Sequence, residues 1–172
     1  MNPTEIRAQI AAFENAYAYD AGYQTAVLDA APEAYAHFAA ARAMISHRQH
    51  LPPDAHYVAR IAMMRSDDCG ACAQLNLRMA IEAGLDRDLL RRLLDAPETL
   101  PPHLIDICKH AADVARNAPP CPERTQRLRD HYGPAGFAEL AVCLTGCRIF
   151  PTLKRAMDMN RACEKLTLES AR

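Results

Sequence analysis

The sequence lacks the period-two alternation and the Val, Thr and aromatic enrichment of strands, which excludes a sheet as the organising element. It lacks an excess charge of either sign: the formal net charge is -1, so nothing draws the chain to nucleic acid or to an anionic membrane surface. No apolar run approaches the length needed to cross a bilayer. Residues Met1 to Ile10 hold no basic region followed by an apolar core, so no secretory signal is expected. Low-complexity tracts and internal repeats are also missing. At 172 residues the chain suits one domain with a core of its own. Its seven cysteines are an odd number in a protein large enough to need no staples, which points to a reducing cytoplasm and mostly free thiols.

What is present is helical nearly throughout, and the expected class is all-α, a single-domain helical bundle. Pro3 and Thr4 open a first helix with Ile6, Ile10, Phe13 and Tyr17 on one face. Gly22 is expected to interrupt the chain. Pro32 opens a helix through Tyr35 and Phe38 toward His47, and Pro53 opens another with Val58, Ile61, Ala62 and Met63 on its buried side. Leu89, Leu90, Leu93 and Leu94 mark a short helix, and Leu104, Ile107, Cys108, Ala111 and Val114 a longer one. The run from Asn117 to Pro122 is the clearest linker. A polar helix then ends near Gly133, and an apolar stretch runs on toward Leu166, with Pro151 expected to kink or restart it.

The stretch that carries chemistry is Ser66 to Asn76. Cys69 and Cys72 stand at C-x-x-C spacing where a helix should begin. Ser66, Asp67 and Asp68 are N-cap types, Cys72, Leu75, Asn76, Met79 and Ala83 recur at helical intervals, and Gly84 supplies the stop. Both thiols then fall on the first turn, where free N–H groups and the helix dipole favour a thiolate. Their spacing also lets the two sulfurs join with little backbone movement. Asp67 and Asp68 oppose ionisation, so the attacking thiol is expected to be only modestly acidified.

Leu51 and Pro53, then Cys69, Gly70, Ala71 and Cys72, then Ala83, Gly84 and Leu85, stand at the offsets seen in the AhpD-like alkylhydroperoxidase and carboxymuconolactone decarboxylase superfamily, which the chain resembles. The resemblance is best over residues 51–94, leaves residues 1–20 as an N-terminal helical extension, and extends to the segment Arg148 to Arg155. It implies an all-α fold, a homo-oligomer and, in the redox members, a cysteine pair working with a proton relay. The implied activity is reduction of peroxides or disulfides by an external dithiol donor, with no cofactor.

The chain departs from that pattern at the relay. Where redox members carry a histidine it has Asn76, and where they carry a glutamate it has Tyr57, with His56 beside it. An amide orients a thiol or a water but takes no proton. His56 has a suitable pKa for the task, yet His56 and Tyr57 leave one helix in different directions, so only one can face the cysteines. The candidate site is therefore Cys69, Cys72, His56, Asn76 and Tyr57. A redox-inactive binding or structural oligomer is the alternative, and lactone decarboxylation a further one. Zinc would need Cys69, Cys72 and two of His47, His50 and His56, which requires the loop before Pro52 to fold back. Cys143 and Cys147, four apart on an apolar helix, read as core thiols, and Cys108, Cys121 and Cys163 as structural. The stripe on the first helix needs a cover, and a partner subunit is the expected one.

Overall fold

The computed structural model describes residues 2–159 and 166–168. Among them the chain forms α1 (Pro3–Tyr17), α2 (Gly22–Ala30), α3 (Pro32–Ser46), α4 (Pro53–Ser66), α5 (Gly70–Glu82), α6 (Arg87–Asp95), a single 3-10 turn (Pro97–Thr99), α7 (Pro102–Arg116) and α8 (Pro122–Ala156). There is no strand among the described residues, and the fold is an all-α bundle around one continuous core. Cys163 lies outside the described residues.

Local chemistry sets the boundaries. α1, α3, α4, α7 and α8 each open on a proline, whose fixed φ suits a first turn and whose missing N–H is no loss there. α1, α4, α5, α7 and α8 each end at a left-handed residue, respectively Ala18, Asp68, Gly84, Asn117 and Asp158. In each case the next N–H reaches back five residues, as Cys69 N does to the Met64 carbonyl at 2.9 Å and Leu85 N to the Ala80 carbonyl at 3.0 Å. Only Gly84 occupies this conformation without steric cost.

Two boundaries differ from expectation. Gly22 does not break the chain; it opens α2, with its N–H donated to Asp20 Oδ1 at 2.9 Å. Pro151 neither kinks nor restarts α8, where the one residue with non-helical dihedrals is Gly133, followed by Pro134. Proline at this point is tolerated by the helix as a whole, while a glycine with φ of 69° turns the chain outright. By length and composition α8 is long and apolar enough to span a membrane, closer than the sequence suggested, with a mean hydropathy of 1.2 over its most apolar window. Here it packs on α3, α4 and α7 and carries the buried Glu139. Where it crosses α3, a Cβ on Gly146 would sit 3.0 Å from Met44 Cβ and 3.1 Å from the Ile45 nitrogen, so a larger residue would push the two helices apart by a few tenths of an ångström.

α4 is the centre of the bundle. Ala55, His56 and every residue from Val58 to Met64 are buried, and the helix packs on α5, α7 and α8. A helix buried on all sides is normally apolar all round. α4 nonetheless carries His56 at 3% exposure and Arg60 at 8%, and buried ionisable groups on a central helix call for a reason. α1 is part of the same body. Ile6 and Ile10 are buried in one chain, and the Tyr17 hydroxyl donates to Glu82 on α5 at 2.7 Å. Of the stripe on α1, Ile6 and Ile10 are thus covered within one chain, while Phe13 and Tyr17 are half-buried.

Candidate functional site

Asp68, left-handed at φ 52°, reverses the chain between α4 and α5 so tightly that Cys69 both closes α4 and caps α5. The expected cap residues lie elsewhere: Ser66 ends α4, and Asp67 caps its C-terminus, because the tight reversal leaves no spare residues before α5. The N-cap residue Cys69 makes no side-chain cap bond, so both cysteines stand at the start of α5, where the helix dipole is positive. Cys69 and Cys72 are both 4% exposed, their Cα atoms are 5.3 Å apart and their sulfurs are at disulfide distance. Asp67 does not burden a thiolate here. Its buried carboxylate pairs with Arg155 at 3.0 Å and Arg148 at 3.5 Å, which docks the end of α8 beside the site.

Cys72 borders a cavity of about 450 Å³ enclosed by α1, α2, α3, α4, α5 and α8; Cys69 does not. Asn76, one turn on, also borders it. Its Nδ2 donates to the Cys72 carbonyl at 2.7 Å, while its Oδ1 has no protein partner. The Tyr19 hydroxyl lies 3.5 Å from Cys72 Sγ. It also shares a hydrogen bond with Tyr23, to which Gln24 Nε2 donates at 3.2 Å. Burial, reinforced by Tyr23, pushes the Tyr19 phenol far up, so it stays protonated and available as a donor. The shared bond raises the Tyr19 pKa and lowers that of Tyr23, as when Tyr19 donates to Tyr23, so a Tyr19 proton reaches the sulfur only if that bond reverses and Tyr23, which accepts from Gln24, donates to Tyr19.

The other two expected site residues lie apart from this group. His56 Nε2 is 3.3 Å from Arg60 Nη1, and its ring meets Tyr57 edge-on at 5.2 Å. Tyr57 is half-buried, with the Arg60 guanidinium 5.1 Å from its ring centroid. Neither borders the cavity; Arg60, one turn beyond His56, does. The electrostatic influence of His56 falls instead on Cys143, while its Nδ1 has no hydrogen-bond partner. A hydrogen bond with Cys147 lowers the pKa of Cys143, His56 and Arg60 act in the same direction, and burial opposes them. Cys147, wholly buried beside it, is raised by that burial and by Cys143, and it also borders the cavity. The two thiols are core residues, as expected, but they form a polarised pair and not simple filling.

Among the described residues no cluster of three His, Cys, Asp or Glu side chains is placed to hold a metal. The loop before Pro52 turns away from the cysteines: His47 Nε2 lies 3.3 Å from Glu139, which also takes the His50 N–H at 2.8 Å. The zinc alternative has no second pair of ligands there.

Fold and site together define an all-α bundle with a cysteine pair at disulfide distance, of which Cys72 stands on the wall of an aromatic-lined cavity. No family model, no curated protein and no solved structure matches the chain.

Proposed function

We propose that the protein is a thiol oxidoreductase that uses Cys69 and Cys72 to reduce a peroxide or a disulfide, with electrons from an external dithiol. The observation that carries this is the asymmetry of the pair. Both sulfurs are within bonding reach at an uncapped helix start, and Cys72 alone opens on the cavity. Cys72 is accordingly the attacking thiol and Cys69 the resolving one. The reading accords with the resemblance to AhpD-like proteins, in which a homo-oligomer is also implied.

With a hydroperoxide, the Cys72 thiolate attacks the outer oxygen and the O–O bond breaks. The sulfur becomes a sulfenic acid, and the alkoxide leaves as the alcohol with the proton Cys72 had released. The Cys69 thiol then attacks the sulfenic sulfur. An S–S bond forms and water departs with the Cys69 proton. Two electrons from the external dithiol restore both thiols. The helix N-terminus and the Tyr19 hydroxyl favour the attacking thiolate, and Tyr19 is positioned near the leaving oxygen. Among the described residues no His or Glu borders the cavity to relay protons, so turnover is expected to be slow.

Thiol counting tests the pair. One equivalent of peroxide should convert the peptide spanning Cys69 and Cys72 from two free thiols to one internal disulfide, and dithiothreitol should restore both. Mass spectrometry that finds both thiols still free, or either one joined to another cysteine, sinks the proposal. Tyr19→Phe should keep the fold and slow oxidation of Cys72 by about ten- to a hundredfold, the worth of a hydrogen bond to a charged group. An unchanged stopped-flow rate would remove Tyr19 from the mechanism.

A further inference from the structure

The cavity has a charge bias that the thiol chemistry does not use. Among the described residues its lining includes Arg60 and Arg42 but no aspartate or glutamate. Arg60 sits deep, at 8% exposure. Its Nη1 faces His56 at 3.3 Å, its Nη2 donates to the Met79 thioether at 3.4 Å, and its Nε has no protein partner. None of these is an anion, and a thioether is a weak acceptor for a group with five N–H donors to satisfy. Among the described residues Arg60 pairs with no carboxylate. Arg60 also lies against the Cys143–Cys147 pair, whose lowered Cys143 pKa offers it one thiolate, while Arg42 is exposed at the mouth.

Arg60 thus has no carboxylate counter-ion and an unmet Nε, so a carboxylate entering the cavity finds a buried donor that no protein group satisfies. The rest of the wall indicates what else that ion carries. Phe13, Tyr35 and Phe150 give an apolar wall, and the unpartnered amide oxygens of Gln24 and Asn76 are acceptors, which offer nothing to a carboxylate and leave Arg60 as its donor. Its exposed lining residues, Gln9 on α1 with Arg42, Ala43 and Ser46 on α3, form the mouth. A volume of about 450 Å³ is within the usual range of small-molecule sites. At about 30 Å³ for each non-hydrogen atom, it accepts a body of roughly 10–15 such atoms.

We propose that the cavity is a binding site for a monocarboxylate with an apolar body, its carboxylate on Arg60 and its body against the aromatic wall. Arg42 at the mouth draws the anion in, and the guanidinium fork matches a carboxylate in two parallel hydrogen bonds. The thiols play no part in this binding, so it holds whether or not the protein is an oxidoreductase.

Calorimetric titration of the full chain with decanoate, and with decanol as the neutral counterpart, tests it. Decanoate should bind at least tenfold more tightly than decanol. Arg60→Met should abolish that preference while leaving decanol binding unchanged. Ala43→Trp, an exposed change at the mouth, should block both probes without disturbing the core, and it keeps the test open if Arg60→Met fails to fold. Equal affinity for the two probes, no binding of either, or decanoate binding that survives Ala43→Trp overturns the proposal. The readout is heat of binding and not turnover, so a negative result here leaves the thiol reading standing.

Discussion

Cys72→Ser is expected to reduce peroxide consumption by more than about a hundredfold, because it removes the nucleophile itself. Cys69→Ser should behave differently. Cys69 does not border the cavity, so the first chemical step survives its loss. This variant should consume one equivalent of peroxide per chain in a burst and then stop, with a sulfenic acid on Cys72 that a dimedone probe traps. Wild type should give no such adduct once the internal disulfide forms. The two variants therefore separate attack from resolution. A burst in Cys72→Ser and none in Cys69→Ser would reverse the assignment, and a loss of both activities to background in unfolded protein is checked by circular dichroism. The structural basis is narrow and specific. Both thiols are 4% exposed, so surface access does not distinguish them; only the cavity does.

The sequence exposed the parts of the fold that rest on local chemistry. The proline starts of α1, α3 and α4 and the glycine stop after α5 are each decided within a few residues and stand where the pattern places them, whereas Pro122, which reads as the end of a linker, opens α8. α2 was hidden because glycine reads as a breaker, whereas here Asp20 caps it. The position of the cysteine pair was legible for the same local reason. Its surroundings were not. Tyr19 reaches Cys72 across 53 residues of sequence, and no local pattern marks such a contact. The direction of His56 could not be read either. An amphipathic helix reveals its inner face by periodicity, but α4 is buried on every side, so the sequence gives no face from which to judge where His56, Tyr57 and Arg60 point. The same burial explains why Cys143 and Cys147 pass for filling: only the approach of α4 to α8 brings His56 to them.

Glu139→Ala is expected to cost about 3 kcal/mol, lowering Tm by roughly 6–12 °C for a chain of this size. Glu139 lies on α8 and is 7% exposed. Its carboxylate accepts the N–H groups of Gln49 at 3.0 Å, His50 at 2.8 Å and Leu51 at 2.8 Å. These three donors belong to the segment between α3 and α4. The carboxylate thereby fixes the point from which Pro53 launches α4, and with it the placement of His56 and Arg60. Gln49 and His50 are exposed and recover water when the carboxylate is removed, but the Leu51 N–H is buried and does not, which is why the cost is less than three full charged hydrogen bonds. Burial alone would push the Glu139 carboxyl up; the N–H donors of His50, Leu51 and Gln49 outweigh it and hold its pKa below the ordinary value. Because the folded pKa is the lower one, the unfolded chain takes up the proton first as pH falls. The contribution is therefore fully present at neutral pH and is lost as pH drops from about 4, the ordinary glutamate value, through the folded pKa. Glu139→Gln removes the charge at every pH while keeping one acceptor, so it should be less stable than wild type at pH 7 and converge on it below about pH 4. Thermal unfolding of both proteins between these limits measures the convergence. A gap that stays constant down to the acid limit would mean that the charge does not hold the α3–α4 segment, and that shape alone places α4.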